Sequence, residues 1–302
     1  MKGQKRNSYA ARRLGTAFAG ALIAAILLFH TKKESEPLSG YGMFSWHAEA
    51  IADAQAQDLD ACMDKAGVTE IYQHFSNSTS EEEIVSFVER MSKRNVAVYA
   101  LIGEAEWAYE KERSQLLAQL KWISQYNEGQ KKSARIQGVM VDVEPYILKE
   151  WDEGDEEREA LMKGYVGGME QAYGYASDQK LELLVCIPTF YDVTNEELLE
   201  QLVAQACDGI AVMNYNRTDE YGQIAKEVGF AREYGKEVLC IYELQKSGVH
   251  DLEEINTYAE KGLDALWESA DRLKRQFGYE RLRFAYHYYE PLRELLGQTK
   301  MP

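Results

Sequence analysis

The sequence predicts an α/β protein built as a closed (β/α)8 barrel, and three observations lead to this prediction. Beyond residue 40, eight short apolar segments alternate with longer amphipathic ones. The apolar segments are typical of strands buried on both faces of a parallel sheet. Eight such units in about 260 residues match the usual length of this barrel, about 250 residues. The competing open, doubly wound sheet is disfavoured because no GxGxxG turn follows the first segment.

Each predicted strand is an apolar run between polar or turn-forming residues. In chain order the runs cover residues 40–46, 70–76, 96–104, 136–146, 181–190, 209–216, 237–245 and 281–289. Helices are predicted between them from their start signals. Ser80 with Glu83 resembles a capping box, and so does Thr194 with Glu197. Asp251 is predicted to begin a long, charge-rich helix.

Residues 1–33 differ in composition from the rest of the chain. They contain seven Lys and Arg, no Asp or Glu, and an uncharged apolar run over residues 14–29. That run suits a signal sequence or signal anchor, with a buried core helix as the alternative. Five cations precede it and two follow it, which predicts a cytoplasmic N-terminus.

The predicted organisation has three parts. A cytoplasmic basic stub with a signal anchor covers residues 1–33, a linker covers 34–39, and a barrel domain covers 40–302. We expect the barrel to lie outside the cell membrane, held by its N-terminal anchor, or to be secreted if the segment is cleaved. The membrane is therefore one expected partner, and the sequence does not select an oligomeric state.

The chain after residue 33 is strongly acidic, with 27 Lys and Arg against 50 Asp and Glu. Such a surface repels phosphates, which argues against nucleic-acid binding. The four cysteines Cys62, Cys186, Cys207 and Cys240 match no metal-ligand spacing, and nothing selects a disulfide among them. Cys186 and Cys240 fall in apolar runs, where a buried small hydrophobe is expected. The sequence predicts neither a cofactor nor a metal ion.

Two acids end the apolar run GVMVDVEPY, residues 138–146. Side chains alternate along a strand, so Met140, Asp142 and Glu144 share one face while Val141 and Val143 share the other. If the valines meet the surrounding helices, both acids point to the barrel axis at its loop-bearing end, where barrel enzymes carry their chemistry. Two close carboxylates in a partly dry cleft should have one raised pKa and one ionised partner. A salt-bridged structural pair, neutralised by an arginine of a neighbouring strand, is the alternative.

Other predicted strand ends add candidate residues. Glu144, nearer the opening, is the candidate general acid, and Asp142 would orient or stabilise. Glu243 and Tyr215 end the seventh and sixth runs and complete the catalytic candidates. Aromatic faces beside carboxylates suit sugar rings. The candidate substrate-binding residues are Trp46, His74, Tyr146, Tyr191, Met213, Asn216, His287 and Tyr288.

The strand-4 segment resembles the motif of chitinase-type family 18 glycosidases, in which aspartates precede a catalytic glutamate. Met213-Asn214-Tyr215-Asn216 is similar to that family's Met-x-Tyr-Asp on strand 6. This resemblance implies a TIM barrel in which Glu144 is the proton donor, Asp142 positions a substrate N-acetyl group and Tyr215 assists. The sequence also departs from the pattern: the earlier aspartates fall on Gln137 and Met140, Asn216 replaces an acid, and no tryptophan closes strand 8.

A second resemblance is to retaining glycosidases, which carry an acid/base Glu on strand 4, commonly within Asn-Glu-Pro, and a nucleophilic Glu on strand 7. Here Glu144-Pro145 and Glu243 take those places, with Val143 instead of the asparagine. Over residues 40–292 the chain also resembles uncharacterised bacterial exported barrel proteins of glycosidase type.

These resemblances imply an exported or membrane-anchored glycoside hydrolase that acts on a polysaccharide or cell-wall glycan. The sugar, the linkage and the choice among retaining, inverting and substrate-assisted routes stay open. One alternative is a catalytically inactive glycan-binding barrel at the cell envelope. Another is a metal-dependent hydrolase or deacetylase with Asp142, Glu144, Glu243 and His287 converging on an ion.

Overall fold

The computed structural model describes residues 40–52, 56–109, 111 and 113–297. The predicted stub, anchor and linker, residues 1–39, lie outside the described residues. Within the described part of the chain, no helix combines the length and apolar character needed to cross a bilayer.

Eight parallel strands form a closed barrel in which each strand pairs with its neighbours in chain order and β8 pairs with β1. This confirms the predicted (β/α)8 architecture, and each predicted strand is present. The strands are β1 (Tyr41–Ser45), β2 (Val68–Gln73), β3 (Ala97–Ile102), β4 (Gly138–Val141), β5 (Glu182–Pro188), β6 (Gly209–Met213), β7 (Glu237–Glu243) and β8 (Leu282–His287).

Helices cover the outside of the barrel. They are α1 (Ala56–Ala66), α2 (Glu81–Lys93), α3 (Arg113–Gly129), α4 (Glu150–Glu153), α5 (Asp155–Asp178), α6 (Tyr191–Thr194), α7 (Glu196–Gln205), α8 (Ala225–Tyr234), α9 (Gly262–Phe277) and α10 (Tyr289–Leu295).

The predicted helix starts have different outcomes. The capping box of Ser80 and Glu83 is confirmed at the start of α2. The cap of α7 is Asn195 rather than Thr194, because the Asn195 side chain accepts the Leu198 N–H. The helix predicted from Asp251 begins only at Gly262, after a loop with a short 3-10 turn.

The period of two along the strands separates two buried clusters. Valines 139, 141 and 143 pack outward with the helices. The inward-facing residues fill the barrel and are called the inner core: Phe44, Tyr72, Tyr99, Leu101, Met140, Leu184, Cys186, Ala211, Leu239, Ile241 and Ala285. All four cysteines are buried and free of disulfides, and burial of Cys186 and Cys240 as small hydrophobes is confirmed.

The amino-terminal end of the barrel is closed by a polar group of inward-facing side chains. Arg283 of β8 forms ion pairs with Glu70 of β2 and Glu237 of β7. Tyr99 donates to Glu182 at 2.6 Å. We call this group the bottom network, and it comprises Glu70, Tyr72, Tyr99, Glu182, Glu237 and Arg283.

Glycines on β1 and β4 make room for residues of this network. A Cβ on Gly42 would lie 2.6 Å from the Tyr72 ring, and one on Gly138 would lie 2.3 Å from the backbone oxygen of Glu182. The absence of a side chain at these positions therefore allows the bottom network to pack.

Candidate active site

A pocket of about 580 Å³ opens at the carboxyl-terminal ends of the strands, opposite the bottom network. Its volume lies within the range of small-molecule sites. It is lined by Phe44, Trp46, Asp142, Glu144, Tyr146, Cys186, Pro188, Thr189, Phe190, Met213, Tyr215, Gln223, Ile241, Glu243, Gln245, His250, Leu252 and His287.

Asp142 and Glu144 follow β4 and keep its inward face. Val143 between them is 1% exposed and packs outward, whereas both acids line the pocket. The Asp142 N–H donates to the Ile102 carbonyl at 2.8 Å, which continues the pairing with β3. The inward orientation expected from the sequence is thus present in the structure.

Gly103 allows the chain around Asp142 to lie close to the end of β3. A Cβ at this position would lie 1.8 Å from the backbone oxygen of Asp142. No side chain fits at that distance, so the backbone position of Asp142 depends on glycine at 103.

The carboxyl group of Asp142 is buried with incomplete hydrogen bonding. Its Oδ1 atom has no hydrogen-bond partner. Burial raises the pKa of Asp142 to about 7, and the negative charge of Glu144 adds to this rise, whereas His287 opposes it. Asp142 is therefore only partly ionised near neutral pH.

Glu144 accepts a hydrogen bond from the hydroxyl of Tyr146. Burial raises the pKa of Tyr146, and the charge of Glu144 raises it further, so the phenol stays protonated and keeps donating. Tyr146 also contacts Phe190, with ring centroids 5.3 Å apart. The phenol therefore fixes one oxygen of Glu144 at the pocket wall.

Glu243 ends β7 and is 3% exposed. Its Oε1 accepts the backbone N–H groups of Leu244 and Gln245 at 2.8 and 2.7 Å. Its Oε2 accepts from His287 Nδ1 at 2.8 Å. Burial by itself would raise the pKa of Glu243, but the hydrogen bond from His287 and the two backbone N–H groups act in the opposite direction, and the pKa is lowered. Glu243 is therefore an ionised carboxylate.

Trp46, His287 and Glu243 lie on three adjacent strands or their ends. The indole Nε1–H of Trp46 donates to His287 Nε2 at 3.3 Å. Tyr215 packs beside the same imidazole, with ring centroids 6.0 Å apart. Burial raises the pKa of Tyr215, and the charges of Glu243 and Asp142 contribute.

Eight of the twelve residues predicted for the site line this pocket. The eight are Trp46, Asp142, Glu144, Tyr146, Met213, Tyr215, Glu243 and His287. The pocket brings together all four catalytic candidates and four of the eight predicted substrate-binding residues.

The other four predicted residues do not line this pocket. His74 Nδ1 is 3.3 Å from the Leu101 carbonyl. Tyr191 is fully buried among the outward-packing residues. Asn216 accepts from the Thr218 N–H and hydroxyl within its own loop. Tyr288 lines a neighbouring hollow of about 430 Å³. Their substrate contacts remain predictions.

Several lining residues were not anticipated from the sequence. Cys186 follows Leu184 on the inward face of β5, so the period of two could have indicated it. Phe190, Gln223 and His250 lie in loops or turns after strands, where no periodic pattern marks which side chain faces inward. Gln223 accepts the Thr189 hydroxyl at 2.9 Å, which joins the loops after β5 and β6.

The pocket is acidic, since three carboxylates line it. Among the described residues, no Lys or Arg does so. The described part of the chain also contains no group of three His, Cys, Asp or Glu side chains arranged to hold a metal ion.

Fold and site together define a (β/α)8 barrel with paired carboxylates at its mouth, as in glycosidase-type barrels. A protein of Bacteroides thetaiotaomicron assigned as an alpha-L-fucosidase has a TM-score of 0.59 and 11% identity, covering 94% of this chain and 98% of that one. A chitinase from Chromobacterium violaceum has a TM-score of 0.51 and 12% identity, covering 85% and 98%. The spore cortex-lytic enzyme of Bacillus megaterium has a TM-score of 0.52 and 10% identity, covering 89% and 75%.

These likenesses confirm the fold expected from the resemblance to TIM-barrel glycosidases. At such low identity they establish the fold alone, and chemistry has to be argued from the site. No protein-family profile matches the sequence. Comparison with curated protein sequences finds no significant match.

Proposed function

We propose that this protein is a glycoside hydrolase that acts on a polysaccharide or cell-wall glycan, with Glu144 as general acid. The observation that supports this most directly is the Asp142–Glu144 pair, which faces a pocket at the barrel mouth and has one pKa raised to about 7. A carboxyl pair that holds one proton near neutral pH can serve acid catalysis of glycosidic cleavage.

In the proposed reaction Glu144 gives a proton to the glycosidic oxygen as the bond from that oxygen to the anomeric carbon breaks. Asp142 lies deeper in the pocket and would orient or stabilise. The second catalytic role has two candidates: Asp142, assisting a substrate N-acetyl group, and Glu243, acting as nucleophile. Tyr215 would donate a hydrogen bond from its protonated hydroxyl.

The lining of the pocket favours neutral glycans. Three acidic side chains line the pocket without a Lys or Arg among the described lining residues, and their negative charge would repel uronic-acid polysaccharides. Trp46, Tyr146 and Phe190 offer ring faces on which the C–H faces of sugars can pack. A neutral polysaccharide or an uncharged stretch of cell-wall glycan is the substrate class that this lining suits best.

Export by the N-terminal segment is part of the proposal and rests on composition alone. The basic residues and the apolar run 14–29 support an anchor or a cleaved signal. Membrane fractionation of the full chain, followed by N-terminal sequencing, tests this. A full-length chain in the cytosolic fraction would contradict it.

The central experiment is a hydrolysis screen over neutral polysaccharides, acidic polysaccharides and peptidoglycan fragments. It compares the parent, Glu144→Gln and Glu159→Gln, the last being an exposed change in α5. We expect Glu144→Gln to lose about 10²–10⁴-fold in rate while it keeps glycan binding and thermal stability. Glu159→Gln should match the parent. Equal rates in all three proteins would remove Glu144 from the mechanism.

A catalytically inactive glycan-binding barrel is the second candidate. The observation that favours it is the complete hydrogen bonding of Glu243, which leaves Asp142 and Glu144 as the carboxyl groups with spare acceptor capacity. This candidate predicts glycan binding by the parent without product in any assay, and unchanged binding by Glu144→Gln.

A further inference from the structure

The carboxylate of Glu243 is enclosed by hydrogen-bond donors. Beside the two backbone N–H groups on Oε1 and His287 Nδ1 on Oε2, the side-chain Nε2 of Gln245 lies 3.4 Å from Oε2. A carboxylate offers about four acceptor positions. A nucleophile has to turn a lone pair toward the anomeric carbon, and here each position already faces a donor.

The hydrogen bonds on either side of His287 determine which of its ring nitrogens carries the proton. Indole Nε1 is a donor only, so the imidazole nitrogen that accepts it, Nε2, carries no proton. The other nitrogen, Nδ1, lies 2.8 Å from the ionised Glu243 and therefore carries the proton. Glu243 thus selects the neutral Nδ1–H form of His287, and that form leaves Nε2 free to accept from Trp46.

This series of hydrogen bonds, from Glu243 through His287, ends at Trp46, whose side chain faces the pocket. Trp46 lines the pocket and is partly buried against the inner core. The centroid of its ring also lies 6.5 Å from that of the His74 ring. Glu243 is therefore linked through His287 to the orientation of the Trp46 indole.

We propose that Glu243 is a positioning residue: it holds His287 as the Nδ1–H tautomer, and His287 holds the Trp46 indole as a sugar-stacking wall. The glycan as ligand rests on the proposed function, whereas the tautomer and the Trp46 hydrogen bond do not. In Glu243→Gln the amide oxygen can accept the two backbone N–H groups, which leaves the amide NH2 group opposite His287 Nδ1. The change also removes the negative charge that favours a proton on Nδ1. The proton can then move to Nε2, where it opposes the indole N–H.

The first test needs no substrate. Heteronuclear NMR of the imidazole nitrogens identifies the tautomer of His287, with His287→Gln to assign its signals and Trp46→Phe to assign the indole N–H. We expect Nδ1–H in the parent at neutral pH. In Glu243→Gln we expect loss of that form together with a shift of the Trp46 indole signal. An Nε2–H or doubly protonated His287 in the parent, or an unchanged indole signal in Glu243→Gln, overturns the proposal.

The second test separates positioning from nucleophilic chemistry, using a glycan that the parent hydrolyses. For Glu243→Ala we expect KM to rise about five- to tenfold with kcat within about threefold, and Trp46→Ala to give the same pattern. Sodium azide should restore nothing. If Glu243 were the nucleophile, kcat would fall by about 10³-fold or more. Azide would then bond to the anomeric carbon as the leaving oxygen departs, giving a glycosyl azide, and this outcome overturns the proposal.

Failure of the proposed function has a different signature. Suppose that the parent cleaves no glycan, but its His287 is the Nδ1–H tautomer and the Trp46 indole signal shifts in Glu243→Gln. This result disproves the hydrolase and supports the positioning role of Glu243. In that case the stacking wall is tested by titrating the glycan fragments of the screen against the parent, Trp46→Ala and Glu243→Gln. Equal affinity in all three overturns the role of the wall.

Discussion

The two ends of the barrel carry similar residues in different electrostatic settings. At the bottom, Glu237 of β7 pairs with Arg283 of β8. At the mouth, six residues further along β7 and four along β8, Glu243 pairs with His287. Arginine is always charged and makes a permanent ion pair, whereas histidine can exchange a proton near neutral pH.

The other acids at the two ends differ in how completely their oxygens are hydrogen-bonded. In the bottom network Glu70 has Arg283 and Tyr72 as partners, and Glu182 has Tyr99. At the mouth Asp142 keeps an oxygen without a hydrogen-bond partner. The comparison indicates that carboxylates at the bottom hold the strands in register, while Asp142 at the mouth retains an unmet interaction that a ligand can satisfy.

The largest stability effect is expected from Arg283→Met at the bottom. Removing the cation leaves Glu70 and Glu237 partly buried and unpaired, so the free energy of unfolding should fall by about 3–5 kcal/mol. Urea denaturation measures this. Arg281→Met, an exposed change two residues before Arg283 and just ahead of β8, is the control. A loss below about 1 kcal/mol would contradict the structural role of the network.

Asp142→Asn should act in the opposite direction, and only at higher pH. The carboxyl pKa is about 7 in the folded protein and about 3.9 in the unfolded chain. As the pH rises between these values, the unfolded chain releases the proton of this carboxyl group while the folded protein keeps it. The free energy of unfolding of the parent is therefore highest below about pH 4 and falls as the pH rises toward 7. At about pH 8 we expect Asp142→Asn to gain on the order of 4 kcal/mol. At about pH 4 the two proteins should unfold alike.

Denaturation curves at both pH values check this prediction. An equal gain at both would show that packing rather than titration is responsible. If the proposed function holds, the parent should also lose activity as the pH rises through about 7, because the Asp142–Glu144 pair loses its proton.

Tyr99→Phe tests a single hydrogen bond of the bottom network. The change removes the hydroxyl that donates to Glu182 at 2.6 Å, and hydrogen bonds to charged groups contribute about 1.5–3 kcal/mol. We expect a loss of about 1.5 kcal/mol in urea denaturation, with no change in the KM for a glycan. A change in KM would contradict the separation of the two ends.

Phe190→Ala is expected to have the smallest effect, at the mouth. Phe190 lines the pocket and is 38% exposed, so its loss should weaken glycan binding about fivefold and leave stability nearly unchanged. Isothermal titration calorimetry measures the affinity. Val193→Ala, 80% exposed and outside the pocket lining, is the matched control, and equal affinities in the two variants would contradict a stacking role.

The sequence predicted those features that follow from periodicity. Alternation along β4 and the residues that follow it was enough to orient Asp142 and Glu144 inward. A shift of the strand register by one residue would have buried both acids against the helices. The start of α9 was not predictable in the same way. The start signal at Asp251 lies in a loop, and that loop is held by long-range contacts, such as Thr257 donating to the Glu243 carbonyl at 3.2 Å.

The bottom network was not predictable from the sequence either. The sequence indicated an arginine partner only as an alternative for the strand-4 acids, whereas Arg283 pairs with acids on β2 and β7. Those residues are far apart in the chain, and only barrel closure brings them together. Tyr191 shows the same limit, because its strand-end position predicted a ligand contact and its helix places it among outward-packing residues.

Position 103 has a consequence for protein engineering. Because a methyl group there would displace the peptide of Asp142, a mutational library confined to pocket-lining side chains would miss a position on a neighbouring strand that sets the backbone of this acid. Saturation of residue 103 should return glycine almost alone among clones with the stability of the parent.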